Sequence, residues 1–315
     1  MIVQPANMDF SKKKFSAIIY GPPGIGKTTL ALSAPRPILI DMDSFGVSRV
    51  DAQYRTPTIM PNAYEEIRAD LTKDNLSQFE TIVIDTGGSL ITYLKDWSMR
   101  TKGAVNKRGE FSPLLGYGFI KVEVASFVNH IMKILDKHVI FIFHSQEKAD
   151  KDGNPTQRIV CEGSFQNTVW TPCDFGGFIQ IINGKRVISF EQTSEFFAKR
   201  TQGIEKQYLI PELDGTRKND FMTRLFEDAS NRIAQDAAAF ELDRALYEEV
   251  MEQVRVVINS VNDAYSANDA VACLKGMSHV LTSKTEASSL LMGKARSLGL
   301  KYAKDGFVPA QGETK

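Results

Sequence analysis

Residues 20–29 read YGPPGIGKTT, three glycines, two prolines and a lysine in ten positions, directly after the apolar run FSAII. Gly21 to Thr28 fit G-x-x-x-x-G-K-T, the spacing of a phosphate-binding loop. The flanks suit it: KFSAIIY (14–20) reads as a buried strand and TTLALSA (28–34) as a helix. The glycines Gly21, Gly24 and Gly26 allow backbone angles and a close approach that a Cβ would forbid. Their N–H groups then turn toward phosphate oxygens, and the helix N-terminus adds its dipole. Lys27 reaches the β- and γ-phosphates, and Thr28 sets a hydroxyl on Mg²⁺. Pro22 and Pro23 stiffen the loop by fixing φ. Together with Ile25 and Thr29 these residues form an expected contact surface for ATP. The plain alternative is a glycine turn without a ligand.

The loop alone says that a triphosphate is held; the acids decide what happens to it. FETIVIDTGG (79–88) is an apolar run ending in Asp85, a Walker B strand in which Asp85 acts on Mg²⁺ through water. In many P-loop proteins the catalytic acid follows this aspartate directly, whereas here Thr86 stands there. RPILIDMDSFG (36–46) ends in Asp41 and Asp43, at alternate positions and so on one face of the sheet. Asp43 is the better candidate to orient or deprotonate the attacking water. Asp41 reads more readily as a strand-end cap. HVIFIFHSQEK (138–148) is a further buried strand, with His144 and Gln146 at its C-terminal end, where open α/β sheets bind ligands. They are placed to sense the γ-phosphate, and a histidine satisfied by a backbone partner is the alternative.

Lys+Arg and Asp+Glu each number 38, so the formal net charge is +0. That excludes a wholly basic surface; contact with nucleic acid must use local patches. Cys161, Cys173 and Cys273 show no metal spacing and read as reduced thiols of a cytosolic protein. MIVQPANMDFSKKK lacks the apolar centre of a signal peptide, and no 18-residue apolar stretch predicts a membrane span. The expected location is cytoplasmic.

The order and spacing of these motifs resemble the RecA-like recombinase core. The likeness runs from the P-loop through the acid-x-acid strand (41–43), TIVIDTGGSL (81–90) and IFIFHSQ (140–146), and covers about residues 12–215. It implies an α/β fold with a central, mostly parallel sheet, and a catalytic carboxylate at Asp43, where such proteins usually carry Glu. More specifically, the chain looks like the short RecA-like ATPases encoded by bacteriophages, which serve recombination and single-strand annealing. That implies Mg²⁺ and ATP, single-stranded DNA as partner, and a homo-oligomeric ring or filament. In such proteins the loops after the Walker B helix and the sensor strand face DNA. RTKGAVNKRGEFSP (100–113) offers Arg100, Lys102, Lys107 and Arg108 for phosphate and Phe111 for base stacking. A solvated surface loop is the alternative. EKADKDGNPTQRIVCEGSF (147–165) reads as a long loop, nearly balanced in charge and weaker for DNA. After an apparent hairpin, FIQIINGKRVISF with Asn183-Gly184 as its turn, Lys199 and Arg200 match the place from which RecA-like and DnaB-like ATPases reach a neighbour's γ-phosphate. A DnaB-like or packaging-type DNA motor shares the same core, and a non-catalytic NTP-binding switch is a third reading.

From about residue 220 glycine becomes scarce and helical spacing sets in: Leu246, Val250, Val254, Val257, Ile258, Val261. Ser266-x-x-Asp269 and Ser283-x-x-Glu286 read as capping signatures. The expected division is an ATPase core over 1–220, a helical region over 221–305, and a loose tail over 306–315. The helical region has no catalytic constellation and is a candidate for assembly or for a partner such as a single-strand-binding protein.

Overall fold

A computed structural model describes residues 8–149, 152–162, 165–304 and 306–310. The chain divides into two compact units, one over Asp9–Ile233 and one built mainly from Ala234–Lys315.

The first unit is a mostly parallel sheet. Its strands are β1 (Ser16–Gly21), β2 (Pro37–Asp41), β3 (Thr58–Ile59), β4 (Thr81–Asp85), β5 (His138–Ala149), β6 (Pro155–Ile159), β7 (Phe175–Ile182), β8 (Lys185–Ser189) and β9 (Gln207–Leu209). They lie in the order β3-β2-β4-β5-β1-β7-β8-β9, with β6 paired to β5. From β3 to β7 every neighbouring pair is parallel, and β8 and β9 are antiparallel. This is the RecA-like P-loop fold that the motif order implied. The helices are α1 (Lys27–Ala31), α2 (Tyr64–Asp70), α3 (Gly87–Lys102), α4 (Pro113–Asn129) and α5 (Phe165–Thr168).

The strands are apolar throughout because both faces of the sheet are covered. Alternate residues feed two separate cores. Ile18, Tyr20, Ile40, Ile82, Ile84 and Phe141 pack with α2, α3 and α4. Ala17, Ile19, Leu39, Val83, Ile140 and Ile142 pack with α1 and with the first turns of α6 (Phe221–Ser260) through Met222, Leu225 and Phe226. This arrangement brings the C-terminal ends of β1, β4 and β5 side by side: Gly21 is level with His144, and Asp85 with Ile142.

The β7–β8 hairpin turns at Asn183-Gly184 as expected, both with positive φ (50° and 74°), the primed turn that matches strand twist. The stretch 147–165 is not one long loop. β5 runs on past the sheet, and Ser145–Ala149 pair antiparallel with Pro155–Ile159. Polar residues hid this ribbon, since an exposed two-stranded extension needs no apolar face. Residues 150–151 and 163–164 of that stretch lie outside the described residues, as do 1–7 of the leader reading and 311–315 of the tail.

The second unit holds the end of α6, α7 (Ala264–Gly276), α8 (Ser283–Ser297) and a β10–β11 pair, Leu300–Ala303 with Gly306–Pro309. Residues 306–309 of the expected tail therefore form a strand. Val254, Ile258 and Val261 enter its core as their spacing predicts, whereas Leu246 is exposed. The caps lie one element earlier than read. Asp263 caps α7, and Ser266 is the returning partner of its capping box; Thr282 precedes α8. Among the described residues no helix is long and apolar enough to cross a membrane.

Candidate nucleotide site

The loop between β1 and α1 has the geometry its glycines foretold. Gly24 and Gly26 take φ of 75° and 90°, which L side chains rarely adopt. Gly21 ends β1 so close to β7 that a Cβ there would lie 2.8 Å from the Ile179 carbonyl oxygen. α1 opens at Lys27, so the first N–H groups of the helix face the loop. Lys27 is only 6% exposed, and its ammonium donates to the carbonyls of Gly21 (3.1 Å) and Pro22 (2.8 Å). Burial pushes its pKa down to about 8, with the Asp85 charge opposing. A cation held inside the loop by two weak acceptors and a nearby carboxylate is well placed to turn to phosphate oxygens.

The Thr28 hydroxyl donates to Asp85 Oδ2 at 2.6 Å, bridging α1 and β4. Burial raises the Asp85 carboxyl above its ordinary range; the Thr28 bond opposes this and the Asp43 charge adds to it. Among the described residues no three His, Cys, Asp or Glu converge as a metal cage. A hydroxyl and a carboxylate in contact nevertheless suit Mg²⁺, which keeps waters and phosphate oxygens as its other ligands. A cation there would also relieve the crowding of Asp85 and Asp43.

The two acids that follow β2 part company. The strand stops at Asp41, so Asp43 is not on it and the expected shared face does not exist. The Asp41 carboxylate is buried and accepts from the backbone N–H of Asp43 and of Val47, both at 3.0 Å. It is the cap of this turn. The Asp43 carboxylate instead reaches toward β4 and accepts from the Ser89 hydroxyl at 3.0 Å. Ser89 is in turn 2.9 Å from the hydroxyl of Thr86, which caps α3. Arg49 lies 3.9 Å from the other Asp43 oxygen. Thr86, standing where an acid is often found, thus anchors the serine that holds the acid from the neighbouring strand.

His144 lies at the end of β5, between the loop strand and β4. Its Nδ1 is buried with no hydrogen-bond partner among the described residues. Burial, then the Lys27 charge, lowers its pKa. Gln146 is turned away, its amide donating to the Ile159 carbonyl at 3.2 Å across the β5–β6 ribbon. The structure therefore gathers Lys27, Thr28, Asp85, Asp43 and His144, and leaves Gln146 as a ribbon contact.

The residues expected to touch DNA or a neighbour are placed differently. Arg100 and Lys102 belong to α3; Arg100 pairs with Glu65 at 3.0 Å and Lys102 lies over the Trp97 ring. Phe111 is not an exposed stacking face. It packs on the core beside Tyr117, under the Lys95 ammonium, because residues 103–112 close into a turn through the Val105–Phe111 bridge. Lys107 and Arg108, at the tip of that turn, are exposed. Lys199 pairs with Gly176 at the start of β7, and its ammonium donates to the carbonyls of Trp170 and Cys173. It lies at the N-terminal end of β1, opposite the loop. Arg200 is exposed and 3.9 Å from Glu191.

Two residues near the site were not singled out from sequence. Ser89 is a helix residue whose role depends on Asp43 being turned toward it. Arg186 follows the Asn-Gly turn on β8, and its Nη1 is so close to Gly26 that a Cβ there would lie 2.6 Å away. The turn signal located the hairpin but not the loop beneath it.

A family model of the AAA domain matches residues 13–201. No curated protein sequence matches the chain. Solved structures similar to it include the crystal structure of the RadB recombinase, at 15% identity over 56% of this chain and 79% of that one, with a TM-score of 0.33. A second solved structure, also an ATPase domain, is similar at 10% identity over 56% of this chain and 76% of that one, with a TM-score of 0.36. Likenesses this distant carry no weight for function.

Proposed function

The chain belongs to the AAA domain family, and from that premise we propose that it is a Mg²⁺- and ATP-dependent ATPase, stimulated by single-stranded DNA, that assists recombination or annealing in the manner of phage RecA-like proteins. The observation that carries the catalytic part is the Asp43 carboxylate, held by Ser89 beside the Thr28–Asp85 pair. Lys27 compensates charge on the β- and γ-phosphates. Thr28 and Asp85 hold Mg²⁺, which supplies charge neutralisation between the two phosphates. Asp43 orients the attacking water and takes its proton. His144, with an unused ring nitrogen, lies where the γ-phosphate ends and reports its loss.

Two surface features support the assembly part. Lys107 and Arg108 stand exposed on a closed turn, as phosphate contacts require. Along α4, Leu115, Phe119 and Val122 recur at i, i+4 and i+7, all exposed, with Val122 at 71%. An apolar stripe of this kind marks an interface, here with a second copy of the chain. Arg200, rather than the internally bonded Lys199, is then the cation that reaches a neighbour's phosphates. The helical C-terminal unit takes the partner role, with a single-strand-binding protein as the expected class.

The test is the ATPase rate of the full chain with single-stranded DNA, duplex DNA, RNA or none, with Lys107→Ala/Arg108→Ala and Arg200→Ala beside it. Stimulation by single strands, lost in the double variant, is expected. No hydrolysis under any condition leaves a nucleotide-binding switch instead. ATP-driven strand displacement moves the chain to the DNA motors.

A further inference from the structure

A triphosphate wrapped by the loop has two ends. Asp85 and His144, which serve the γ-phosphate, lie on β4 and β5, to one side of β1 in the sheet. The nucleoside must leave toward the other side, over β7 and β8. There the structure has a cavity of about 360 Å³, lined by Thr29, Leu30, Arg186, Pro211, Asn219 and Phe221 among others. That volume is within the roughly 300–1,000 Å³ of small-molecule sites.

We infer that this cavity receives the base and ribose of the bound nucleotide and that Arg186 is the side chain on which the base rests. The inference rests on the reading of the loop as an ATP site. Thr29, the residue after the phosphate-binding Lys27-Thr28 pair, opens directly into the cavity, so a chain of phosphates passing the helix start leads there. Arg186 stands at the mouth. One guanidinium nitrogen is 3.5 Å from the Ile25 carbonyl and the other donates to the Pro211 carbonyl at 3.2 Å. The guanidinium is thereby pinned between the phosphate loop and the strand that follows β9, and a planar cation fixed in this way offers a face for stacking on a base. Asn219 ties the far wall to α1, its amide donating to the Thr29 carbonyl at 2.8 Å. Arg217, Lys218 and Arg224 also line the cavity, against Asp220 as its one acid, so the wall suits a ligand that arrives with negative charge.

The experiment separates nucleoside from phosphate. Calorimetric titration of the full chain with Mg-ATP and with Mg-tripolyphosphate is expected to show ATP bound more tightly. Arg186→Ala should weaken ATP at least tenfold and leave tripolyphosphate within twofold; Arg186→Lys, which keeps charge but not the plane, should behave like Ala. Equal weakening of both ligands, or of neither, overturns the inference. Photolabelling of the unaltered protein with 8-azido-ATP gives an answer independent of any variant's folding. Label on the peptides carrying residue 186 or 210–224 supports the cavity, and label confined elsewhere overturns it. Wild type that binds tripolyphosphate as tightly as ATP sinks the cavity alone, whereas wild type that binds neither sinks the ATP site itself.

Discussion

The two ends of the parallel sheet use the same residue types to opposite purposes. At the N-terminal end, Lys199 donates to Trp170 and Cys173, Lys13 pairs with Asp174 at 2.8 Å, and His138 Nδ1 accepts from the Phe15 N–H at 3.0 Å. Every one of these groups is matched by a partner that does not move. At the C-terminal end, Lys27 bonds its own loop, Asp85 and Asp43 crowd each other, and His144 Nδ1 has no partner among the described residues. Polar groups buried without full satisfaction cost stability, and proteins retain them where a ligand completes the set. The contrast separates residues that hold the sheet from residues that await a triphosphate.

The sharpest break in that contrast comes from its two lysines. Lys27→Ala is expected to lower ATP turnover by roughly 10²–10³-fold or more, with little change in melting temperature, since it removes charge from the developing phosphates. Lys199→Ala should keep turnover and destabilise by about 1–3 kcal/mol, the range for buried acceptors left without a donor. Steady-state kinetics and urea unfolding on the same preparations decide it. Lost turnover with unchanged stability in Lys199→Ala would return that residue to the trans role.

Asp43 and Ser89 give the next effect. Asp43→Asn keeps the shape and removes the base, so kcat should fall about 10²-fold while KM for ATP holds. Ser89→Ala frees the carboxylate without removing it, and about tenfold in kcat is expected, with KM again unchanged. A rise in KM matching the fall in kcat would make both residues structural.

What could be read from sequence follows the same division. The P-loop and Asp85 were legible because their spacing is fixed by backbone geometry within one strand–loop–helix unit. Asp43 was legible as a position but not as a conformation. Nothing in DMDSFG says that the strand stops at Asp41, and only the capping of Asp43 and Val47 N–H groups by Asp41 turns Asp43 toward α3. Phe111 and Lys199 misled because exposure was inferred from polar neighbours. Phe111 folds back under Lys95, and Lys199 turns inward to carbonyls 26 and 29 residues away in the chain. Arg186 was invisible because its meaning depends on β8 and β1 being placed two strands apart in the sheet.

The smallest effect concerns the two histidines of β5, six positions apart and at opposite ends of the contrast. His138 is buried, stacked on Phe226 with centroids 4.6 Å apart, and burial pushes its pKa down to about 3. The unfolded chain titrates near the ordinary value of about 6.5, so between those values it binds more protons than the folded one. Stability is therefore full above pH 6.5 and falls as the pH drops toward 3. From pH 6.5 to 5 this amounts to about 2 kcal/mol. Both tryptophans, Trp97 and Trp170, lie in the Asp9–Ile233 unit, so their fluorescence follows its unfolding in urea. His138→Gln, whose amide oxygen can still accept from Phe15, should unfold with a flatter acid dependence and unchanged turnover. His144→Gln should change acid stability less, since His144 is half-exposed, and should slow turnover. A variant pair with these outcomes exchanged would show that the satisfied histidine, not the unsatisfied one, faces the nucleotide.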